Sequence, residues 1–411
     1  MRLWIDATVG ADLQIFGMTL LERHLRAAAR SGVTSIAIDV GIVVAPPPLP
    51  SELPGKLTVQ FRRGPGGVSQ RLAGFLRESD EPVIAVVADS IVDPRLIDFA
   101  LGHGGSFVAR DRGLALLVLD PVRHRSLPPA DSIAELAETL LRDGQIADIG
   151  QHDFPAFVRG LRRTLPFYIL PVRTARERDV AERFLFRSNY KGSTDFFTKY
   201  VYPALVWRLL RPLARLRIHP NWVTALNVVL GIAAIPLFGA GEYLLGFICA
   251  YAMSVLDSVD GKLARLTFTD SKLGTLLDHG LDLIHPPFWY LAWAWGASGG
   301  QIGDPLMSAA AMLVVIYILD RLCLKVYSVN FRRGLHAHAA IDGIARTFIA
   351  RRNINLPIFT VGVILGLEDQ AFMLILCWQL ATLVWHACRV GWILLFEVDS
   401  RDVGGARPIA G

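Results

Sequence analysis

Residues 222–241 read WVTALNVVLGIAAIPLFGAG, twenty positions without a charged side chain, directly after His219-Pro220-Asn221. As a helix rising about 1.5 Å per residue, this run is long enough to cross a bilayer core of about 30 Å. A transmembrane domain therefore begins here, and the chain divides at this point. Downstream, apolar runs recur at Tyr243–Leu256, Leu283–Gly303, Pro305–Leu319, Asn353–Leu367 and Gln370–Cys388. Several are short, but each extends into helix whose polar groups can face a protein interior rather than lipid. The pattern predicts an all-α bundle of six spans. Loop charge agrees: Gly239–Glu242, Gly296–Asp304 and Glu368–Gln370 hold no Lys or Arg, whereas the other side carries the basic linker, the Arg265–Lys272 turn and seven Lys/Arg in Arg321–Ile354. Cations collect on the cytoplasmic side, so the expectation is an inner (cytoplasmic) membrane protein with both termini cytoplasmic.

Composition sets the outer limits. The chain has 411 residues, 52% hydrophobic and 19% charged, with a mean hydropathy of +0.40. That excludes disorder and fits poorly with a wholly soluble protein. The net charge of +5, from 42 Lys+Arg against 37 Asp+Glu, is small enough to come from membrane topology, so no nucleic-acid partner is expected. Cys249, Cys323, Cys377 and Cys388 include no CxxC pair, which excludes a disulfide framework or zinc ribbon. The N-terminus, MRLWIDATVGADLQ, carries early acids and no apolar core with a cleavage site, and no secretory signal is expected.

Upstream of the first span, short β-branched runs alternate with helix-period stretches, the pattern of an α/β domain with a largely parallel sheet. Candidate strands are Arg2–Asp6, Thr34–Asp39, Pro82–Ala88 and Leu114–Asp120, with a first helix at Thr19–Ser31 ending at Gly32. Pro46–Pro54 reads as an exposed loop. From Arg159 to Arg217 there are 14 Lys/Arg against four acids. The later part reads as a basic amphipathic helix on an anionic membrane surface, or alternatively as a basic helix packed on the soluble domain. The expected division is 1–190 soluble, 191–220 juxtamembrane helix, 221–400 membrane domain and 401–411 cytoplasmic tail.

The stretch with the most chemistry is Asp257-Ser-Val-Asp260-Gly261-Lys-Leu-Ala264-Arg265, then Gly274, then Asp278-His-Gly-Leu-Asp282. On helices Asp257 and Asp260 are i,i+3 and Asp278 and Asp282 are i,i+4, so each pair shares a face. Ionised carboxylates at membrane depth must be paired, reach water or coordinate a cation. All-oxygen donors favour hard cations such as Mg²⁺ or Mn²⁺, and two such ions would balance four aspartates. A paired-metal site suits phosphoryl transfer, and Gly261, Ala264 and Gly274 would let a nucleotide approach the backbone. Among the basic residues between spans four and five, Lys325, Arg351 and Arg352 are the candidates for gripping an anionic acceptor. The alternative for most of that cluster is topology and headgroup contact. His279 and His285 are assigned no role, and Trp289, Tyr290, Trp293 and Trp295 are expected in an interfacial aromatic belt.

The spacing D-x2-D-G-x2-A-R-x8-G-x3-D-x3-D, complete here from Asp257 to Asp282, resembles the signature of CDP-alcohol phosphotransferases, integral-membrane enzymes of phospholipid and related phosphodiester synthesis. The likeness covers about residues 190–400 and includes Pro220-Asn221 and Thr224. It implies that Asp257, Asp260 and Asp278 bind metal and that Asp282 is general base and fourth ligand. It further implies that Gly261, Ala264, Arg265, Gly274 and Asn221 shape the donor pocket, and that the enzyme is a homodimer. The acceptor attacks the CDP-linked phosphorus and CMP leaves; an inositol-phosphate-type acceptor is the favoured expectation.

In the soluble half, Phe16–Arg23, Gly32-Val33-Thr34 and Val87-Ala88-Asp89 resemble sugar-phosphate nucleotidyltransferases, and the whole resembles archaeal bifunctional proteins that join an inositol-phosphate cytidylyltransferase to this membrane domain. Two parts depart from that pattern. The loop after strand one has no Lys or Arg before Arg23, and the second metal aspartate of a V-D-T sequence is Arg173 in Val172-Arg173-Thr174. A cation there should abolish metal binding, so a degenerate, catalytically silent domain is expected. The alternatives are a bifunctional cytidylyltransferase/phosphotransferase and, from another class, a transporter or membrane scaffold.

Overall fold

The computed structural model describes residues 1–42, 46–50, 55 and 57–396; side chains at 272–273, 275–279 and 281–282 lie outside the described residues, as does the expected tail at 401–411. The N-terminal half is built on a seven-stranded sheet: β1 (Arg2–Asp6), β2 (Ser35–Asp39), β3 (Thr58–Arg62), β4 (Val83–Val87), β5 (Phe107–Asp111), β6 (Leu114–Leu119) and β7 (Ala147–Ile149). The strand order is β3-β2-β1-β4-β6-β5-β7, parallel throughout except for β6, which runs against both neighbours. Every residue of β1 is buried because both faces are covered. Leu3 and Ile5 enter one core while Trp4, one position out of phase, enters the other, as the two-residue period requires. The covering helices are α1 (Leu20–Arg30), α2 (Val68–Leu76), α3 (Pro94–Gly102) and α4 (Ile133–Arg142), and α5 (Ala175–Ser188) leads out. Thr19 caps α1 by accepting from Glu22 N, and Thr174 and Glu177 close a capping box on α5.

The C-terminal half is helical: α6 (Tyr202–Arg215), α7 (Pro220–Gly239), α8 (Tyr243–Thr267), α9 (Lys272–Ala297), α10 (Pro305–Phe331), α11 (Ala340–Ala345), α12 (Arg352–Leu365) and α13 (Glu368–Phe396). Four of these, α7, α8, α10 and α13, are long and apolar enough to cross a membrane, and α12 is a shorter apolar helix. Their starts follow ordinary stop-and-start chemistry, with His219, Ser271 and Asp304 as N-caps and Pro220 and Pro305 at the first turn. Trp289, Tyr290 and Trp293 are each 1% exposed, which corrects the expected aromatic belt. Trp289 and Trp293 lie one turn apart on α9 and pack edge-on against Phe238, and Trp293 stacks on Phe359 at 4.6 Å. Only Trp295 of the group is exposed.

The two halves share a hydrophobic core. Phe16, Leu20 and Ile91 from the α/β side meet Val206 and Leu210 of α6 and Val259 and Leu263 of α8. One face of α6, Tyr202-Val206-Leu210-Ala214, is buried in this core, while Leu205 and Leu209 stay exposed. The buried face agrees with the reading of a basic helix packed on the α/β half. Polar contacts pin the same junction. Arg23 Nη1 donates to Leu266 O (2.8 Å) and Arg26 Nη1 to Thr267 O (3.3 Å), satisfying carbonyls at the end of α8. Arg217 reaches Gly17 O and Glu22. Phe268 ends α8 in the left-handed region (φ 55°), packs against the α/β core and lies under the Arg23 guanidinium.

Candidate active site

Helix α8 carries the first half of the aspartate sequence into a cavity of about 170 Å³ at the junction of the two halves. Asp260, 4% exposed, accepts from Thr224 Oγ1 on α7 (2.8 Å) and from Gly261 N (2.6 Å). Asp257 accepts from Arg352 Nη2 at 3.0 Å, and Arg352 Nη1 lies 3.1 Å from His285 Nε2. These pairs explain how the carboxylates are tolerated at this depth. The backbone of α9 carries Asp278 and Asp282 one turn apart, but their side chains, like that of His279, lie outside the described residues. Among the described residues no three His, Cys, Asp or Glu side chains gather as a metal cluster. What is described fits a hard divalent cation: donors are carboxylate oxygens, and no sulfur lines the cavity.

Gly274 has a steric reason to be small. A Cβ at Gly274 would lie 2.9 Å from Ser271 Oγ and 3.0 Å from Asn221 Oδ1. Those two atoms are themselves hydrogen-bonded at 2.9 Å, and Ser271 Oγ also accepts from Gly274 N. Gly274 thereby lets the starts of α7 and α9 close on each other. Gly261 lines the cavity, and a Cβ there would meet the Arg265 guanidinium at 3.4 Å. Ala264 lies half-buried on the same helix.

Of the basic residues singled out from sequence, Arg351 and Arg352 line the cavity, whereas Lys325 is exposed on α10 and outside the lining. Arg321 and Arg346 line it as well. Burial, then the charges of Arg351 and Arg162, push the Arg346 guanidinium well below its ordinary range. The segment 189–198 between α5 and α6 forms a further wall that sequence reasoning missed. Asn189 Oδ1 accepts from Arg265 Nε (3.2 Å), the Tyr190 ring lies 3.9 Å from Lys262 Nζ, and Asn353 Nδ2 donates to Asp195 at 3.3 Å. Arg321 is held by Asp320, fully buried, which also meets His386 Nδ1 at 2.5 Å.

The other sheet-end carboxylate is closed off. Asp89 accepts from Arg173 Nε at 2.5 Å, and a Cβ at Gly10 would lie 2.7 Å from Asp89 Cβ. The loop after β1 thus packs onto Asp89, and a guanidinium takes the oxygen a metal would need.

Residues 217–388 match the sequence model of the CDP-alcohol phosphatidyltransferase family. Two curated relatives, the CDP-diacylglycerol–serine O-phosphatidyltransferases of Helicobacter pylori strains 26695 and J99, are 31% and 30% identical over 107 residues. These stretches amount to 25% of this chain and 44% of each relative, so the chain spans less than half the length of the relatives it matches. Among solved structures, Mycobacterium tuberculosis phosphatidylinositol phosphate synthase with CDP-DAG bound covers 46% of this chain and 94% of its own length at 20% identity, with a TM-score of 0.38. UDP-glucose pyrophosphorylase complexed with UDP-glucose covers 46% and 99% at 11% identity, with a TM-score of 0.32.

Proposed function

We propose, starting from the CDP-alcohol phosphatidyltransferase domain at residues 217–388, that this chain is a membrane enzyme that moves a phosphoalcohol group from a CDP-linked donor to an acceptor alcohol and releases CMP. The observation that carries the reading is the complete aspartate, glycine and arginine spacing from Asp257 to Asp282, with Asp257 and Gly261 lining a cation-rich cavity. Asp257, Asp260, Asp278 and Asp282 would hold the divalent ions, Mg²⁺ or Mn²⁺. When bound, such ions neutralise diphosphate charge and stabilise the developing negative charge on the leaving group.

The protein's own groups do the rest. Asp282 takes the proton from the acceptor hydroxyl as its oxygen attacks phosphorus. Arg265, fixed by Asn189, faces the donor phosphates. Gly261, Ala264 and Gly274 with Asn221 leave room for the nucleotide. Arg352 holds Asp257 in orientation through the contact at 3.0 Å, while Arg351 faces the acceptor. Six spans, a cytoplasmic active site with both termini on that side of the inner membrane, and a homodimer complete the proposal. The loop charges support the orientation. The α/β half is nucleotidyltransferase-like and silent, a reading supported by the Arg173–Asp89 pair.

The test is CMP release by detergent-purified protein given CDP-diacylglycerol and candidate alcohols. Release that requires Mg²⁺ or Mn²⁺ and disappears in Asp278→Asn and Asp282→Asn is expected. Release unchanged in both variants, or none with any donor, overturns the assignment in favour of a transporter or scaffold.

A further inference from the structure

We propose that the groove between α5, α6 and the 157–164 hairpin holds the headgroup of an anionic phospholipid, which ties the α/β half to the bilayer and braces one wall of the active-site cavity. The site is separate from the transfer chemistry, and its test needs no turnover.

The groove, about 510 Å³, draws its walls from both halves of the chain. Arg183 and Arg187 lie one turn apart on α5, and Arg163 comes from the hairpin that pairs Phe157–Val158 with Arg163–Thr164. Lys191 and Lys199 come from the segment that leads into α6. Five cations thus line it, and among the described residues no Asp or Glu does. The nearby acids are engaged elsewhere: Arg211 takes Asp179 and Glu182 of α5, and Asp195 is held by Thr198 and Asn353. Arg163, Arg183, Arg187 and Lys199 make no ion pair among the described residues. Like charges gathered in one groove repel one another until an anion enters it.

The apolar surroundings say which kind of anion. Phe186 is buried in the groove and packs on Trp207 with ring centres 5.0 Å apart; Pro203 extends this floor, and Arg183 lies 5.7 Å from the Trp207 ring. On the same helix Leu205 and Leu209 stay exposed, and Leu216 and Ile218 are exposed where the chain turns into α7, the first span. An uncovered apolar stripe that runs into a span belongs against hydrocarbon, so this side of α6 borders the bilayer. A small soluble anion has no use for the floor. A phospholipid supplies both a phosphate for the guanidinium groups and glyceride carbons to cover the aromatic rings. Tyr190 joins the groove to the active site. It lines both cavities, and its ring meets Phe186 at 5.3 Å and Lys262 Nζ at 3.9 Å. A headgroup in the groove therefore packs against the wall that Lys262 meets from the other cavity.

The full chain in detergent would be titrated with short-chain phosphatidylglycerol, short-chain phosphatidylcholine and inorganic phosphate, with bound lipid counted by native mass spectrometry. Phosphatidylglycerol is expected to bind, phosphatidylcholine to bind about tenfold more weakly or worse, and inorganic phosphate to leave bound phosphatidylglycerol in place. One cation at an anionic headgroup is worth about a factor of five in binding. Arg183→Gln with Arg187→Gln should therefore weaken phosphatidylglycerol by about 30-fold. Both side chains are exposed, so the melting curve should not move. Hydrogen exchange on the unmodified chain in nanodiscs gives a second reading that needs no variant: phosphatidylglycerol in place of phosphatidylcholine should slow exchange in 183–199. Equal binding of the two lipids, displacement of phosphatidylglycerol by inorganic phosphate, or wild-type affinity in the double variant overturns the proposal. Identical exchange of 183–199 in the two discs overturns it as well.

Discussion

Replacing Gly274 with alanine would place a methyl carbon 2.9 Å from Ser271 Oγ and 3.0 Å from Asn221 Oδ1. Neither atom has an easy escape, because Ser271 Oγ donates to Asn221 and caps α9 through Gly274 N, both at 2.9 Å. If the serine rotates away, α9 loses its N-cap, about 1 kcal/mol; if α9 backs off instead, the overpacking costs about 1–3 kcal/mol. Asp278 and Asp282 ride on that helix about one and two turns further on. A shift at Gly274 therefore changes their spacing to Asp257 and Asp260 on α8. Misplacement of reacting groups by about 1 Å lowers rates by about 100-fold. The expected result for Gly274→Ala is a fall in CMP release of about 10- to 100-fold with only a few degrees lost in melting temperature. Gly280, on the same helix, has no described atom within 4 Å of its added Cβ. Gly280→Ala should therefore hold or raise stability, by up to about 1 kcal/mol from helix propensity. Full CMP release by Gly274→Ala in purified protein would refute the idea that the Asn221–Ser271–Gly274 contact sets the separation of the two aspartate pairs.

Asp320→Ala leaves His386 and Arg321 without their buried carboxylate; a loss of about 3–5 kcal/mol is expected, and a wild-type melting curve would contradict it. Arg173→Ala should remove an ion pair whose arginine is 56% exposed and cost less than about 1 kcal/mol. Neither it nor the wild type should release pyrophosphate from CTP and polyol phosphates; sustained release would revive the bifunctional alternative. His24 is buried and its pKa falls to about 4, first through desolvation. The unfolded chain binds a proton at about 6.5 while the folded one does not. The α/β half should keep its full stability above about pH 6.5 and lose up to about 3 kcal/mol as pH falls to 4. Hydrogen exchange in α1 and β4 across that range reads the slope, and a flat profile would show that His24 titrates freely.

Much of this architecture is legible locally. β1, β2, β4 and β6 fall within a residue of the runs read from the chain because buried strands are bounded by the polar and turn residues that stop them. The run Tyr243–Leu256 continues as helix through Thr267, since Asp260 finds Thr224 and needs no break in the backbone. The aromatic residues of α9 misled because composition alone does not separate a lipid interface from a helix–helix seam; the i,i+4 spacing of Trp289 and Trp293 was the signal that one protein face collects them. Arg352 on Asp257 joins positions far apart in the chain, and no local period marks such a pair. Asn189, Tyr190 and Lys191 straddle the boundary read between the soluble half and the juxtamembrane helix, yet they line the cavity.

Phe268 gives the junction a structural consequence for any attempt to split the protein. Cutting between the halves would strip Arg23 and Arg26 from the last carbonyls of α8 and leave an aromatic ring without its slot, eleven residues after Asp257. A helix end that has lost both its donors and its hydrophobic anchor frays, and the fraying would start next to Arg265. The helical half made alone is therefore a mutant of the intact site, and the α/β half is the splint that keeps that helix wound to its final turn.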